Sequence, residues 1–186
     1  MKIIEFRFIN TDDLSDIKYE WCSRVYEYPI LLNFLNEIKP SSVHNTSAGY
    51  GIDLGIRQLQ IIKELKKYNT IHSDLHPTES MNIKQFNIVN DKMLQHEVVI
   101  NISVLEHLPK HEQILVLDNL WKNVKDGGYL FLTFDYPRVN LEIIEKWVGS
   151  KCQSKPDNAV NGINSVFVQP KYSDLNFILL ILNKNI

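Results

Sequence analysis

Three six-residue stretches of this chain are apolar almost throughout instead of at alternate positions: Val98-Val99-Ile100-Asn101-Ile102-Ser103, Tyr129-Leu130-Phe131-Leu132-Thr133-Phe134 and Phe177-Ile178-Leu179-Leu180-Ile181-Leu182. A strand reads this way when both of its faces are covered, as in a parallel sheet with helices on either side. Helical patterns stand between the runs. Ile114, Leu117, Leu120 and Val124 recur on one side of a helix predicted over residues 110–125. Asp126-Gly127-Gly128 is expected to end it, one glycine taking the left-handed C-terminal conformation. Upstream, residues 42–46 read as a short strand, 47–51 as a turn and 52–67 as an amphipathic helix. Residues 69–73 read as a strand closed by Asp74-Leu75-His76-Pro77, and residues 83–88 as another short one. A helix over 140–148 precedes a last strand over 175–182. Strand and helix therefore alternate at least four times, the grammar of an α/β sheet with helices on both faces. Such sheets bind ligands beyond the carboxyl ends of their strands, at the switch point beside the first strand. The turns at 47–51, 74–77, 87–91 and 103–107 are accordingly expected to crowd together.

Residues 1–10 alternate Ile4, Phe6 and Phe8 with Glu5 and Arg7, a strand able to complete the chain's own sheet or to pair with another chain. Beyond it, residues 1–40 are expected to form a mainly helical cap on a single domain of 186 residues. Thr11, Asp12 and Asp13 offer N-caps, Ile30, Leu31, Phe34, Leu35 and Ile38 follow at helical spacing, and Pro29 is expected to divide the run in two.

Twenty basic against 22 acidic residues leave a net charge of −2, which excludes a strongly basic nucleic-acid footprint. Lys63, Lys66 and Lys67 read as an exposed helix face. Cys22 and Cys152 have no C-x-x-C spacing, so they suggest neither a disulfide framework nor a zinc site and point to a reducing, cytoplasmic setting. The longest apolar run falls far below the roughly 20 residues of a membrane helix, and no membrane partner is expected. His72/His76 and His107/His111 share i,i+4 spacing. The first pair spans a strand end and a turn, and neither has a nearby cysteine or an HExxH pattern, so no metal is expected.

Val43-His44-Asn45-Thr46-Ser47-Ala48-Gly49-Tyr50-Gly51 is a strand running into a glycine-bearing turn and then a helix. Glycine there lets backbone approach a ligand closely, and a helix N-terminus offers unpaired N–H groups. Asp74, at the end of the next strand, stands where a carboxylate can accept hydrogen bonds from both hydroxyls of a ribose. Further on, the chain reads VVINISVLEHL from Val98 and KNVKDGGYLFLTFD from Lys122. Here it resembles the class I S-adenosylmethionine-dependent methyltransferases. That family shows a strand followed by S-V-L-E-H-L, a helix, a lysine-proline-glycine-glycine-type turn and a strand ending in T-x-x-x-P. Ser103-Val104-Leu105-Glu106-His107-Leu108 matches residue for residue, and Asp126 stands where the family often has proline. The likeness spans about residues 26–137. A softer one links Arg24-Val25-Tyr26-Glu27-Tyr28-Pro29 to the first helix of small methyltransferases found among carbohydrate-modifying genes.

The resemblance implies a three-layer, doubly wound, mostly parallel sheet with an antiparallel C-terminal strand. It also implies transfer of a methyl group from S-adenosylmethionine to a small polar acceptor, a sugar or sugar-linked metabolite being the narrower expectation. Asn45, Ala48, Gly49 and Gly51 would lie along the methionine part of the cofactor. Asp74 would take the ribose hydroxyls, Leu75 would pack on the adenine, and Asn87 and Ile88 would lie at its edge. Asn101 and Ser103 would line the sulfonium end, with Glu106 and His107 beside the acceptor as catalytic candidates. Three positions depart from the family. Asn45 and Asn87 replace acidic residues, and Ser47 replaces a glycine. Exchanging a charge-assisted hydrogen bond for a neutral one at Asn45 costs about 1 kcal/mol. Ser47, if left-handed, would cost about 1–2 kcal/mol. These departures motivate an alternative, a catalytically inactive binding module or partner subunit of the same fold. A third reading, a nicotinamide-dependent oxidoreductase, rests on Gly49-x-Gly51-x-x-x-Gly55 with Asp74 and leaves the SVLEHL segment unused.

Overall fold

A computed structural model describes residues 2–9, 24–49, 55–77, 82–92, 94–136, 138–151 and 176–184. Its strands are β1 (Lys2–Ile9), β2 (Val43–Asn45), β3 (Thr70–Asp74), β4 (Lys84–Gln85), β5 (His96–Ile102), β6 (Val124–Tyr136) and β7 (Asn176–Asn183). Its α-helices are α1 (Arg24–Ile38), α2 (Gly55–Leu65), α3 (Lys110–Lys122) and α4 (Leu141–Lys151). The strands form one sheet in the order β1-β7-β6-β5-β2-β3-β4. From β2 the chain runs outward through β3 and β4, then returns to the other side of β2 for β5 and β6, all in parallel register. The switch point therefore lies between β2 and β5.

β7 is antiparallel to both neighbours, β6 and β1. The expected antiparallel C-terminal strand is present, and the amino-terminal strand completes the chain's own sheet. β1 joins the sheet at its edge, and the first forty residues are to that extent more than a helical cap. Residues 10–23, with the predicted N-caps Thr11, Asp12 and Asp13, lie outside the described residues.

The continuous apolar runs follow from two separate cores. On one face Leu31 and Leu35 of α1 and Ile61 and Leu65 of α2 pack against Val98, Ile100, Phe131 and Leu179. On the other, Val116, Leu117 and Leu120 of α3 and Ile144 and Trp147 of α4 meet Val99, Leu130, Leu132 and Leu180. Alternate residues of one strand thus serve opposite cores, and neither set can be polar.

Two sequence expectations are corrected. α1 runs unbroken through Pro29. The pyrrolidine ring is exposed, and a proline this near the helix start removes one backbone bond without forcing a break. The helix predicted to end at Asp126-Gly127-Gly128 ends at Lys122, with Asn123 as its C-cap. Gly127 does have positive φ, +81°, but inside β6, where its N–H bonds Lys184 O at 2.7 Å and Lys184 N–H bonds Gly128 O at 2.8 Å. The glycines bend a strand and do not cap a helix.

Candidate functional site

The crevice above the carboxyl ends of β2, β3, β5 and β6 is built by the turns that leave those strands. After Asn45 the chain stays beside β5 for one more residue, as Thr46 N–H and Oγ1–H both donate to Ile100 O, at 2.9 and 2.8 Å. Ser47 then closes a side-chain turn, donating from N and Oγ to Asn45 Oδ1 at 3.2 and 3.1 Å, and its Oγ accepts from Ile102 N at 2.9 Å. Ala48 N–H crosses to Ser73 O at 3.2 Å, and Gly49 N–H donates to Asp74 Oδ2 at 3.0 Å. The turn after β2 is thereby laced to β5 on one side and to β3 on the other.

Gly49 is required here for space. A Cβ added to it would stand 2.8 Å from Asp74 Cβ and 3.0 Å from Cγ. Asp74 uses its other oxygen, Oδ1, to accept His76 N–H at 2.9 Å. An ionised carboxylate has about four lone-pair directions, so these two bonds leave acceptor capacity on Asp74. Leu75, 47% exposed, offers an uncovered apolar side chain next to it. Phe86 N–H bonds Asp74 O at 2.8 Å and brings the following turn to the same edge. In that turn Asn87 Oδ1 accepts Val89 N–H at 2.9 Å, and half-buried Ile88 packs against the α3–α4 core.

The residues at the carboxyl end of β5 are held more tightly. Asn101 is fully buried; its Nδ2 donates to Thr46 Oγ1 at 3.1 Å, while its Oδ1 has no hydrogen-bond partner among the described residues. Ser103 has φ +47°, a left-handed conformation unusual for a residue with a side chain. The left-handed residue at this site is thus Ser103; Ser47 is not among those with positive φ. Ser103 N–H bonds Thr133 O at 2.9 Å, and its Oγ donates to Glu27 Oε1 at 2.7 Å.

A 3-10 turn, Leu105–His107, follows. Glu106 Oε1 accepts Asp135 N–H at 3.1 Å, and its Oε2 is buried with no partner among the described residues. Burial pushes this carboxyl up to about 7. Backbone N–H groups of Glu106 and Asp135 oppose the rise, and the Asp135 and Glu27 carboxylates add to it. His107, on the same turn, is exposed.

The structure therefore gathers Asn45, Ala48, Gly49, Asp74, Asn101 and Ser103 around one crevice. It attaches Asn87 and Ile88 to the rim, with the Asn87 amide oxygen engaged by its own turn. Gly51 lies outside the described residues. Beneath the crevice, His72 Nδ1 lies 3.4 Å from Asn45 Nδ2. Burial, with Lys66 adding, lowers its imidazole to about 4, so it is neutral. An amide nitrogen only donates, which makes Nδ1 the acceptor.

Sequence reasoning missed Glu27 and Asp135. The signal for Glu27 was its spacing, since Glu27, Leu31 and Leu35 recur every four residues and all three are buried. Among the described residues, no group of three or more His, Cys, Asp and Glu side chains is placed to hold a metal ion. Among the described residues, no helix is long and apolar enough to cross a membrane.

No protein-family model matches the chain, and no curated protein matches it in sequence. Solved structures do match in shape. The N-methyltransferase NodS from Bradyrhizobium japonicum WM9, in complex with S-adenosyl-L-homocysteine, superposes with a TM-score of 0.60 at 14% identity, covering 92% of this chain and 90% of that one. The magnesium protoporphyrin IX methyltransferase ChlM from Synechocystis PCC 6803, with bound S-adenosylmethionine, gives 0.56 at 13% identity, over 87% and 79% of the two chains. The plantazolicin methyltransferase BpumL, in complex with S-adenosyl-L-homocysteine, gives 0.54 at 12% identity, over 88% and 84%. The chain has the class I methyltransferase fold.

Proposed function

We propose that this chain is an S-adenosylmethionine-dependent methyltransferase acting on a small polar acceptor, with a sugar or sugar-linked metabolite as the narrower reading. The observation that carries it is the close contact of Gly49 with Asp74 at the carboxyl ends of β2 and β3, beside the switch point. A glycine forced by space to lie against a carboxylate that keeps free lone pairs is what a nucleoside site needs. The neighbouring groups fit the same ligand. Exposed Leu75 offers a surface to the adenine, and Asn101 and Ser103 stand at the sulfonium end. Asn45 and Ala48 lie along the methionine part, with Asn87 and Ile88 at the adenine rim.

When bound, S-adenosylmethionine supplies an electrophilic methyl group on a positively charged sulfur. The chain's part is to align the acceptor with that group, an effect worth up to about 7–11 kcal/mol. Its other part is to remove the acceptor's proton. Glu106 Oε2 is buried and lacks a donor, and a carboxyl near 7 is part-ionised at neutral pH, the condition for a general base.

Titration calorimetry with S-adenosylmethionine and S-adenosylhomocysteine tests the reading. Wild-type protein is expected to bind both. Gly49→Ala, which displaces Asp74, is expected to bind about tenfold more weakly or worse, a loss of about 1.4 kcal/mol. Absence of binding at millimolar ligand, or equal binding by the two proteins, defeats it. A second reading, a binding module without transfer activity, is favoured by Asn45, whose Oδ1 is engaged by Ser47 and which brings no charge to the cofactor's ammonium group. Tight binding with no methyl transfer to any hydroxyl or amine acceptor in a broad panel would select it.

A further inference from the structure

We infer that Glu27, on the amino-terminal helix, is a positioning residue for the sulfonium end of the site, acting through Ser103. The inference rests on the methyl-donor reading above. Glu27 sits in the first turn of α1 and is fully buried. A carboxylate in such a place is costly unless donors meet it. Its Oε1 accepts two, Ser103 Oγ–H at 2.7 Å and Thr133 Oγ1–H at 2.5 Å. These hydroxyls come from the carboxyl ends of the two neighbouring parallel strands that border the crevice.

Ser103 is the residue at which β5 leaves the sheet, and it does so with φ +47°. That conformation disfavours most residues that carry a side chain. Ser103 is held there by its N–H on Thr133 O and its hydroxyl on Glu27, while Glu27 also grips Thr133. Three residues later the chain presents Glu106. Glu27 thus fixes the point from which both the Ser103 backbone and the turn bearing Glu106 are aimed. A serine serves at a left-handed position because its hydroxyl gives the helix something to hold.

The test compares substitutions at Ser103 and Glu27, reading affinity for S-adenosylhomocysteine by calorimetry and amide hydrogen exchange over residues 103–106. Ser103→Ala loses the hydroxyl yet keeps the conformational penalty, and is expected to weaken binding by about tenfold and to speed exchange. Ser103→Gly adopts the positive φ unaided and is expected to bind more tightly than Ser103→Ala. Glu27→Ala is expected to weaken binding by about tenfold in the wild-type background and by less than about threefold in the Ser103→Gly background, a coupling that a merely structural role would not produce. Glu27→Gln, which keeps an acceptor oxygen, is expected to recover most of the affinity. If Glu27→Ala does not fold, the two Ser103 variants decide alone. Equal affinities for Ser103→Ala and Ser103→Gly, or equal cost of Glu27→Ala in both backgrounds, overturn the role of Glu27. Wild-type protein that binds neither S-adenosylmethionine nor its product overturns the methyl-donor reading and this inference with it.

Discussion

A carboxyl buried at the rim of a crevice reports on its own protonation through stability as well as through activity. The Glu106 side chain is raised by burial to about 7 in the folded chain, against an ordinary 4.5. For an acid whose folded pKa is raised, its stabilising contribution is complete below the unfolded pKa and is lost as pH rises through the folded one. The window here is therefore pH 4.5 to about 7. Glu106→Gln resembles the protonated acid at every pH. It is expected to be more stable than wild type at pH 8, by about 3 kcal/mol, with the difference shrinking towards pH 5. Urea unfolding of both proteins at the two pH values checks this. A difference that does not change with pH would show that Glu106 is an ordinary surface carboxylate. On the proposed function the same variant loses about 10²–10⁴-fold in turnover while keeping its affinity for S-adenosylhomocysteine. Glu106 was legible in the sequence because it lies inside a contiguous segment. Glu27 and Asp135 were not, because their roles depend on contacts with residues 76 and 29 positions away. A left-handed serine at position 103 was equally hidden, since sequence assigns that conformation to glycine by default and raised it only as a condition at position 47.

At the scale of elements, β5, β6 and β7 could be read from their apolar runs, because burial on two faces leaves no other composition for them. Element ends were harder. α3 stops at Lys122 and β6 begins at Val124, so the Asp126-Gly127-Gly128 segment that resembles a helix stop belongs to a strand. The reason is long-range, as backbone bonds to Lys184 and the Asn183 side chain at 3.0 and 3.1 Å hold this bend. Gly127 and Gly128 accordingly do different work. A Cβ at Gly127 would meet nothing within 4 Å, and only its φ resists substitution. A Cβ at Gly128 would come within 2.4 Å of Glu97 O, in the backbone of β5, which cannot move aside as a side chain can. Gly127→Ala is expected to cost about 1–2 kcal/mol. Gly128→Ala should cost 3 kcal/mol or more, at the top of the range of about 1–3 kcal/mol for overpacking. Denaturant midpoints of the two variants rank them, and a Gly128→Ala protein no weaker than Gly127→Ala would contradict the close approach of β6 to β5.

The whole molecule should be acid-sensitive through its buried histidines. His44, His72 and His96 lie on the adjacent strands β2, β3 and β5, and all three are buried. The His44 and His96 rings meet edge to face with centroids 5.2 Å apart, and His44 Nε2 is 2.7 Å from Ser73 Oγ. Burial lowers His44 to about 3, with His96, Lys84 and His72 adding, and lowers His72 to about 4, with Lys66 adding. His96 moves the same way by burial, with Lys125 adding. The unfolded chain takes up these protons near 6.5 and the folded chain refuses them, so stability is complete above that value and falls as pH drops. His44 and His72 each contribute a slope of about 1 kcal/mol per pH unit, and His96 acts in the same sense. Glu106 works against them between 4.5 and about 7, because there the folded state binds the extra proton. The net slope between pH 6.5 and 5 is thus the histidines less one carboxyl, and ordinary carboxylates, which titrate lower, stay out of that window. Glu106→Gln should steepen this acid limb by about one proton, and His72→Gln should flatten it by about one. Unfolding free energies at half-unit intervals read both slopes. A wild-type profile that is level from pH 6.5 to 5, with neither variant changing it, would mean that the imidazoles reach water and that β2, β3 and β5 are open where the fold has them packed.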